Sequence, residues 1–132
     1  MKKVLFIVGL LTTGLIFMNF SNPTETSQEE TATPSIEIPE NVSAILDNSC
    51  MGCHNSESKN LKGKKKLSFD KLNDLQGYKA IGKYTDIAEV IVEGDMPPKK
   101  FLSKYPERAL SEEDQEILVS WAKDAAKGLS GE

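Results

Sequence analysis

The chain has 132 residues, with 16 Lys and Arg against 20 Asp and Glu, a formal net charge of −4. Beyond an apolar N-terminal segment whose only charges are Lys2 and Lys3, 14 basic residues face 20 acidic ones, which argues against nucleic acid or an anionic membrane surface as the main partner. Two cysteines and one histidine are too few for a disulfide-built scaffold and one short of a four-ligand structural zinc site.

Val4 to Phe20 runs without a charge behind Lys2 and Lys3. The pattern is that of a secretory signal, and its length is close to the shortest that spans a bilayer. No A-x-A-like cleavage site and no lipid-accepting cysteine follow it. Residues 1–20 are therefore read either as a cleaved signal peptide or as an N-terminal membrane anchor. In both cases the rest is expected outside the cytoplasm, in the periplasm or tethered to the inner membrane. Residues 21–37 are rich in Ser, Thr, Glu and Pro. They bury too little to offset ordering, so they are expected to form a flexible linker. Residues 38–130 remain for one small domain, whose hydrophobic core alone is marginal at that size.

The expected fold class is all-α, since no segment alternates cleanly as a strand would. A first helix is predicted from Pro39, suited to a first helical position, to Asn48, with Val42, Ile45 and Leu46 on one face. Asn55 to Lys66 reads as a polar loop. Its lysines, Lys59, Lys62, Lys64, Lys65 and Lys66, are either simply solvated or a docking patch for an acidic redox partner protein. Ser68 can cap a short helix carrying Phe69, Leu72 and Leu75. A longer helix is predicted over Tyr78 to Glu93, with Ile81, Tyr84, Ile87, Ala88 and Ile91 buried and Gly94 ending it. Ser111 and Asp114 form a variant capping box for a last helix with Leu118, Trp121, Ala122 and Ala125 inward and Gly128 as its stop. Trp121 is expected to be core.

Between the first helix and the polar loop lies Cys50-Met51-Gly52-Cys53-His54. This C-x-x-C-H run holds both cysteines and the only histidine, and it is the attachment pattern of a c-type haem. Shuffling the composition would produce it about once in ten thousand arrangements. Two thiols on one turn can each bond a vinyl group on one side of the porphyrin, and His54 then lies under the iron as proximal ligand. A thioredoxin-like pair would follow a strand, and a disulfide over so small a loop would stabilise little. One covalently attached haem c is the cofactor expected.

The sixth position on the iron separates electron transfer from ligand chemistry. No second histidine exists. Met1 and Met18 belong to the export segment, and Met51 sits inside the motif. Met96 remains, in Glu93-Gly94-Asp95-Met96-Pro97-Pro98. Pro97 disfavours helical geometry at Met96 and Pro98 stiffens the next stretch of chain, so Met96 is expected in an extended loop as distal ligand. A lysine ligand or an open site are the alternatives.

The attachment motif, Leu67-Ser68-Phe69, the Met-Pro-Pro run, Tyr105 to Ser111 and Trp121-Ala122 occur in one order. That order resembles the small haem-binding domain proteins common in Bacteroidetes, which look like class I cytochromes c. The resemblance covers about Ser49 to Lys123. It implies a cytochrome-c-like bundle of about four short helices around one haem, with histidine and methionine on the iron. One departure is the lysine-rich Asn55 to Lys66, where such proteins often carry aromatic and proline residues. The expected function is single-electron transfer between redox partners by a monohaem c-type cytochrome, not an enzyme. The alternative is a peroxidase or a gas or redox sensor with a displaceable Met96.

Overall fold

The structure, a computed structural model, describes residues 35–131. The export segment expected over residues 1–20 and most of the linker lie outside the described residues. Among the described residues every regular element is helical: α1 (Glu40–Ser49), α2 (Leu61–Lys66), a 3-10 segment (Phe69–Asp74), α3 (Tyr78–Val92), α4 (Lys99–Leu102), a 3-10 turn (Pro106–Arg108) and α5 (Glu112–Ser130). None of these helices is long and apolar enough to cross a membrane.

The core is the contact between α3 and α5, with α1 added against α5. Leu118, Trp121, Ala122 and Ala125 of α5 are buried, spaced i, i+3, i+4, i+7 as one helical face requires. Facing them, α3 buries Ala80, Tyr84, Ile87, Ala88 and Ile91. Small residues at Ala88 and Ala122 let the two helices come close, and Tyr84 and Trp121 meet edge to face with ring centroids 5.4 Å apart, a favoured aromatic geometry. Trp121 is thus core, and its Nε1 donates to the Glu37 carbonyl at 3.4 Å. Nearby, the Asn73 side chain both accepts from the Ile36 amide at 3.1 Å and donates to the Ile36 carbonyl at 3.2 Å. The last residues of the stretch read as linker therefore lie against the folded body.

The ends of α5 are set locally. Ser111 Oγ accepts from the Asp114 amide at 3.1 Å while Asp114 accepts from the Ser111 amide at 3.0 Å, the reciprocal capping box. Gly128, expected to stop the helix, does not: α5 runs on to Ser130 and ends at Gly131, whose φ of 76° is left-handed. A single glycine costs a helix only about 1 kcal/mol, and the apolar side chains of Ala125, Ala126 and Leu129, packed on the core, outweigh it. Two further differences are local. The segment after Ser68 is 3-10 and not capped by its side chain, because Ser68 Oγ donates instead to the Lys64 carbonyl at 3.1 Å. The polar stretch expected as loop contains α2, started by Asn60, whose side chain accepts from the Gly63 amide at 2.9 Å.

The Tyr84 side chain is only 1 % exposed, and its hydroxyl has no hydrogen-bond partner among the described residues. An unpaired buried hydroxyl costs stability, so Tyr84→Phe is expected to leave the domain equally stable or to raise its stability by up to about 1 kcal/mol in chemical denaturation. Burial also pushes the Tyr84 phenol above its ordinary value of 10.0. The folded state favours the neutral phenol, so this contribution is complete below pH 10 and is lost as pH rises through the raised value. Alkaline unfolding of Tyr84→Phe should lack that component.

Candidate haem site

The attachment motif is built as a turn on the end of α1. The Cys50 and Met51 amides donate to the Leu46 carbonyl at 2.8 and 2.9 Å, and the Cys53 and His54 amides both donate to the Cys50 carbonyl at 3.0 Å. One hydrogen-bonded turn therefore carries both thiols and the imidazole. Cys50 and Cys53 are free and half-buried. Burial, with a smaller contribution from neighbouring Cys53, pushes the Cys50 thiol up to about 11. Among the described residues no cluster of three or more His, Cys, Asp or Glu side chains is arranged to hold a bare metal ion.

Short polar side chains of the following segment hold this turn in place. Asn55 Nδ2 donates to the Met51 carbonyl, and the buried Ser58 hydroxyl donates to the Gly52 carbonyl at 3.0 Å. The Ser56 amide donates to the Asp70 carboxylate at 3.0 Å, and hydrogen bonding from Ser56 keeps that carboxyl below its usual range. Gly63 of α2 lies so close that a Cβ there would stand 2.7 Å from the Cys53 carbonyl oxygen. The lysine run is divided by the same packing. Lys64 Nζ donates to the Ser56 carbonyl at 3.3 Å, while Lys59, Lys62, Lys65 and Lys66 are exposed, Lys62 and Lys66 at the lining of the adjoining cleft.

His54 is oriented by the backbone. Its Nδ1 lies 3.2 Å from the Leu67 carbonyl. A carbonyl only accepts, so Nδ1 carries the proton and Nε2 keeps its lone pair, as an iron ligand must. The Phe69 amide donates to the His54 carbonyl at 3.0 Å, and the Phe69 ring stands edge-on to the imidazole, centroids 6.3 Å apart. Leu67 had no side-chain signal for this role, because the acting atom is a main-chain oxygen.

Met96 is delivered by the end of α3. Gly94 has φ 70°, and the Gly94 and Asp95 amides donate to the Ile91 and Val90 carbonyls at 3.1 and 2.9 Å. This is a Schellman ending, with glycine at the left-handed position. The Met96 amide adds a bond to the Val90 carbonyl at 3.2 Å, and the Met96–Pro97 peptide is cis. The chain then forms α4 and returns to the motif. Asn48 Nδ2 donates to the Glu107 carbonyl at 3.5 Å. The Arg108 guanidinium lies 5.5 Å from the Tyr105 ring centroid, with one nitrogen 3.3 Å from the place of a Gly52 Cβ.

These elements enclose one cleft of about 840 Å³, within the range of cofactor pockets. Cys50, Cys53, His54 and Met96 all line it, and Leu67, Phe69, Ile87, Val90, Ile91 and Phe101 supply apolar walls. Met96 is 37 % exposed. The donor set and the walls fit a haem: an imidazole nitrogen and a thioether for the iron, two thiols three residues apart, and apolar surface for the ring. Residues 59–124, half of the chain, match the family model of the haem-binding domain. The chain belongs to the haem-binding domain family. It is a haem protein, and the match covers Met96 and most of α5 but begins five residues past His54. No curated protein and no solved structure matches the chain.

The tight approach of α2 to the Cys50–His54 turn is testable. Gly63→Ala must displace either α2 or the Cys53 peptide. It is expected to lower stability by about 1–3 kcal/mol, the usual cost of overpacking, and to reduce the yield of haem-loaded protein measured by absorbance per mole of chain.

Proposed function

We propose that this haem-binding domain is a monohaem c-type cytochrome that carries single electrons between redox partner proteins outside the cytoplasm. Cys50 and Cys53 hold the haem by thioether bonds, His54 is the proximal ligand and Met96 the distal one. The observation that carries the proposal is that these four side chains, drawn from two separated stretches of chain, line one cleft. The bound haem supplies one-electron exchange between ferrous and ferric iron. The chain's own residues do the rest. Leu67 fixes the imidazole through Nδ1, leaving Nε2 to bind. The Gly94 turn carries Met96 to the cleft, where a soft, neutral thioether favours ferrous iron. The aliphatic walls from α3 exclude water around the ring. Residues 4–20 serve export or membrane anchoring in this proposal, and residues 21–37 tether the domain.

Met96→Ala is expected to lower the midpoint potential and to let carbon monoxide bind the reduced protein, with loss of the sulfur-to-iron charge-transfer band. An unchanged potential and spectrum would rule out Met96 as ligand. If the unaltered protein is already high-spin and binds carbon monoxide readily, the peroxidase or sensor function takes precedence. Covalent attachment is read separately. The intact chain should keep its haem through acid-solvent extraction, whereas Cys50→Ala/Cys53→Ala should release it, and mass spectrometry should record one haem per chain only in the former.

A further inference from the structure

No apolar packing holds α2. It has six residues, none of them buried, and an isolated helix shorter than about 12 residues is marginal in water. Hydrogen bonds at its two ends, the bond from Lys64 Nζ to the Ser56 carbonyl and the close approach of Gly63 to the Cys53 carbonyl fix it instead. Both ends lead to the Cys50–His54 turn. At the start, the Ser58 hydroxyl donates to the Gly52 carbonyl at 3.0 Å and accepts from the Asn60 amide at 3.1 Å. Asn60 Oδ1 then accepts from the Gly63 amide at 2.9 Å. At the finish, the Leu67 amide donates to the Gly63 carbonyl at 3.0 Å, and the Leu67 carbonyl lies 3.2 Å from His54 Nδ1. The bonds form one circuit that leaves the turn at Gly52 and returns to it at His54.

Building on the iron ligation proposed for His54, we infer that Ser58 is a positioning residue for that ligand. Through α2 it holds the Leu67 carbonyl on the imidazole, and so sets how strongly His54 donates to the metal. Ser58 is 7 % exposed and is not among the residues that line the cleft, so it acts only through others. Its hydroxyl joins the Gly52 carbonyl to the Asn60 amide, which places the first residue before α2 against the turn. Six residues of hydrogen-bonded helix then carry that placement to Leu67. A carbonyl that accepts from Nδ1 makes the imidazole a more basic ligand, and a more basic ligand favours ferric over ferrous iron. A hydroxyl outside the cleft thereby bears on the redox potential.

The test reads two properties of the haem-loaded protein. One is the midpoint potential. The other is the solvent exchange of the His54 Nδ1 proton, followed by NMR in the diamagnetic ferrous state, with carbon monoxide added if the iron is high-spin. Ser58→Ala and Asn60→Ala each cut the circuit before α2. Both are expected to raise the potential, because the imidazole donates less, and to speed the exchange about tenfold, the equivalent of one to two lost hydrogen bonds. Asn60→Ser keeps a capping acceptor and should keep both wild-type values. Asn73→Ala removes the two bonds to Ile36, which weakens the domain elsewhere, and should also keep both. Either value unchanged in Asn60→Ala or in a haem-loaded Ser58→Ala, the same changes in Asn73→Ala, or Asn60→Ser behaving as Asn60→Ala would overturn the assignment. The ligation beneath it is read separately. The porphyrin ring current carries the ring protons of an iron-bound imidazole far upfield, so His54 protons without that displacement in the unaltered protein would overturn the ligation itself.

Discussion

The packing of α3 on α5 carries the rest of the domain. Tyr84, Ile87, Ala88 and Ile91 on one helix and Leu118, Trp121 and Ala122 on the other form a continuous buried surface. Fully burying each large aliphatic side chain contributes about 1.5–3 kcal/mol. The same helix that makes this core turns Ile87, Val90 and Ile91 toward the cleft and ends at the glycine that launches Met96. One wall of the cleft and one candidate iron ligand thus depend on a contact that touches no cofactor.

The opposite wall is made by different physics. From Cys50 to Asp70 few large side chains are buried, and hydrogen bonds do the ordering. Asn55, Ser58, Asn60 and Lys64 spend their side chains on backbone groups, and each such bond contributes only about 1 kcal/mol. Gly63 allows the backbone of α2 to sit on the Cys53 carbonyl. The result is a stiff polar frame around the attachment turn, with the imidazole orientation set by a main-chain oxygen. In a domain this small, where an apolar core is marginal, a covalently held ring joining the polar wall to the aliphatic one would add the missing centre.

Charge is organised around the same cleft. The chain is acidic overall, yet five lysines reach the cleft, from α2, α3 and the segment after Met96. Lys64, two positions from both Lys62 and Lys66, is instead committed to the Ser56 carbonyl. Position on a short helix, not composition, decides which lysine of the run lines the cleft and which bonds to the frame. Lys59, Lys62, Lys65 and Lys66 all stay exposed.

Much of the domain was legible from local rules. The periodic stripes of α3 and α5, the Ser111–Asp114 box and the Gly94 ending all depend on residues within a few positions of one another, and they stand where the spacing required, save that α3 buries Ala80 and leaves the expected Ile81 only half-buried. The haem motif was legible for the same reason, since both thiols and the imidazole occupy one turn. Where the reading and the structure part, the deciding contact is distant in sequence. Gly128 stays helical because Leu129 packs on the core. Asn55 to Lys66 is ordered because its side chains find the motif's carbonyls, and Leu67 matters for an oxygen that every residue has. By itself the sequence determined an all-helical haem-binding chain with two thiols, one imidazole and one available thioether. Only the tertiary structure decided that these line a single cleft, because residues 42 positions apart come to border one space only when α3 has packed on α5 and the chain after Met96 has closed back against Gly52.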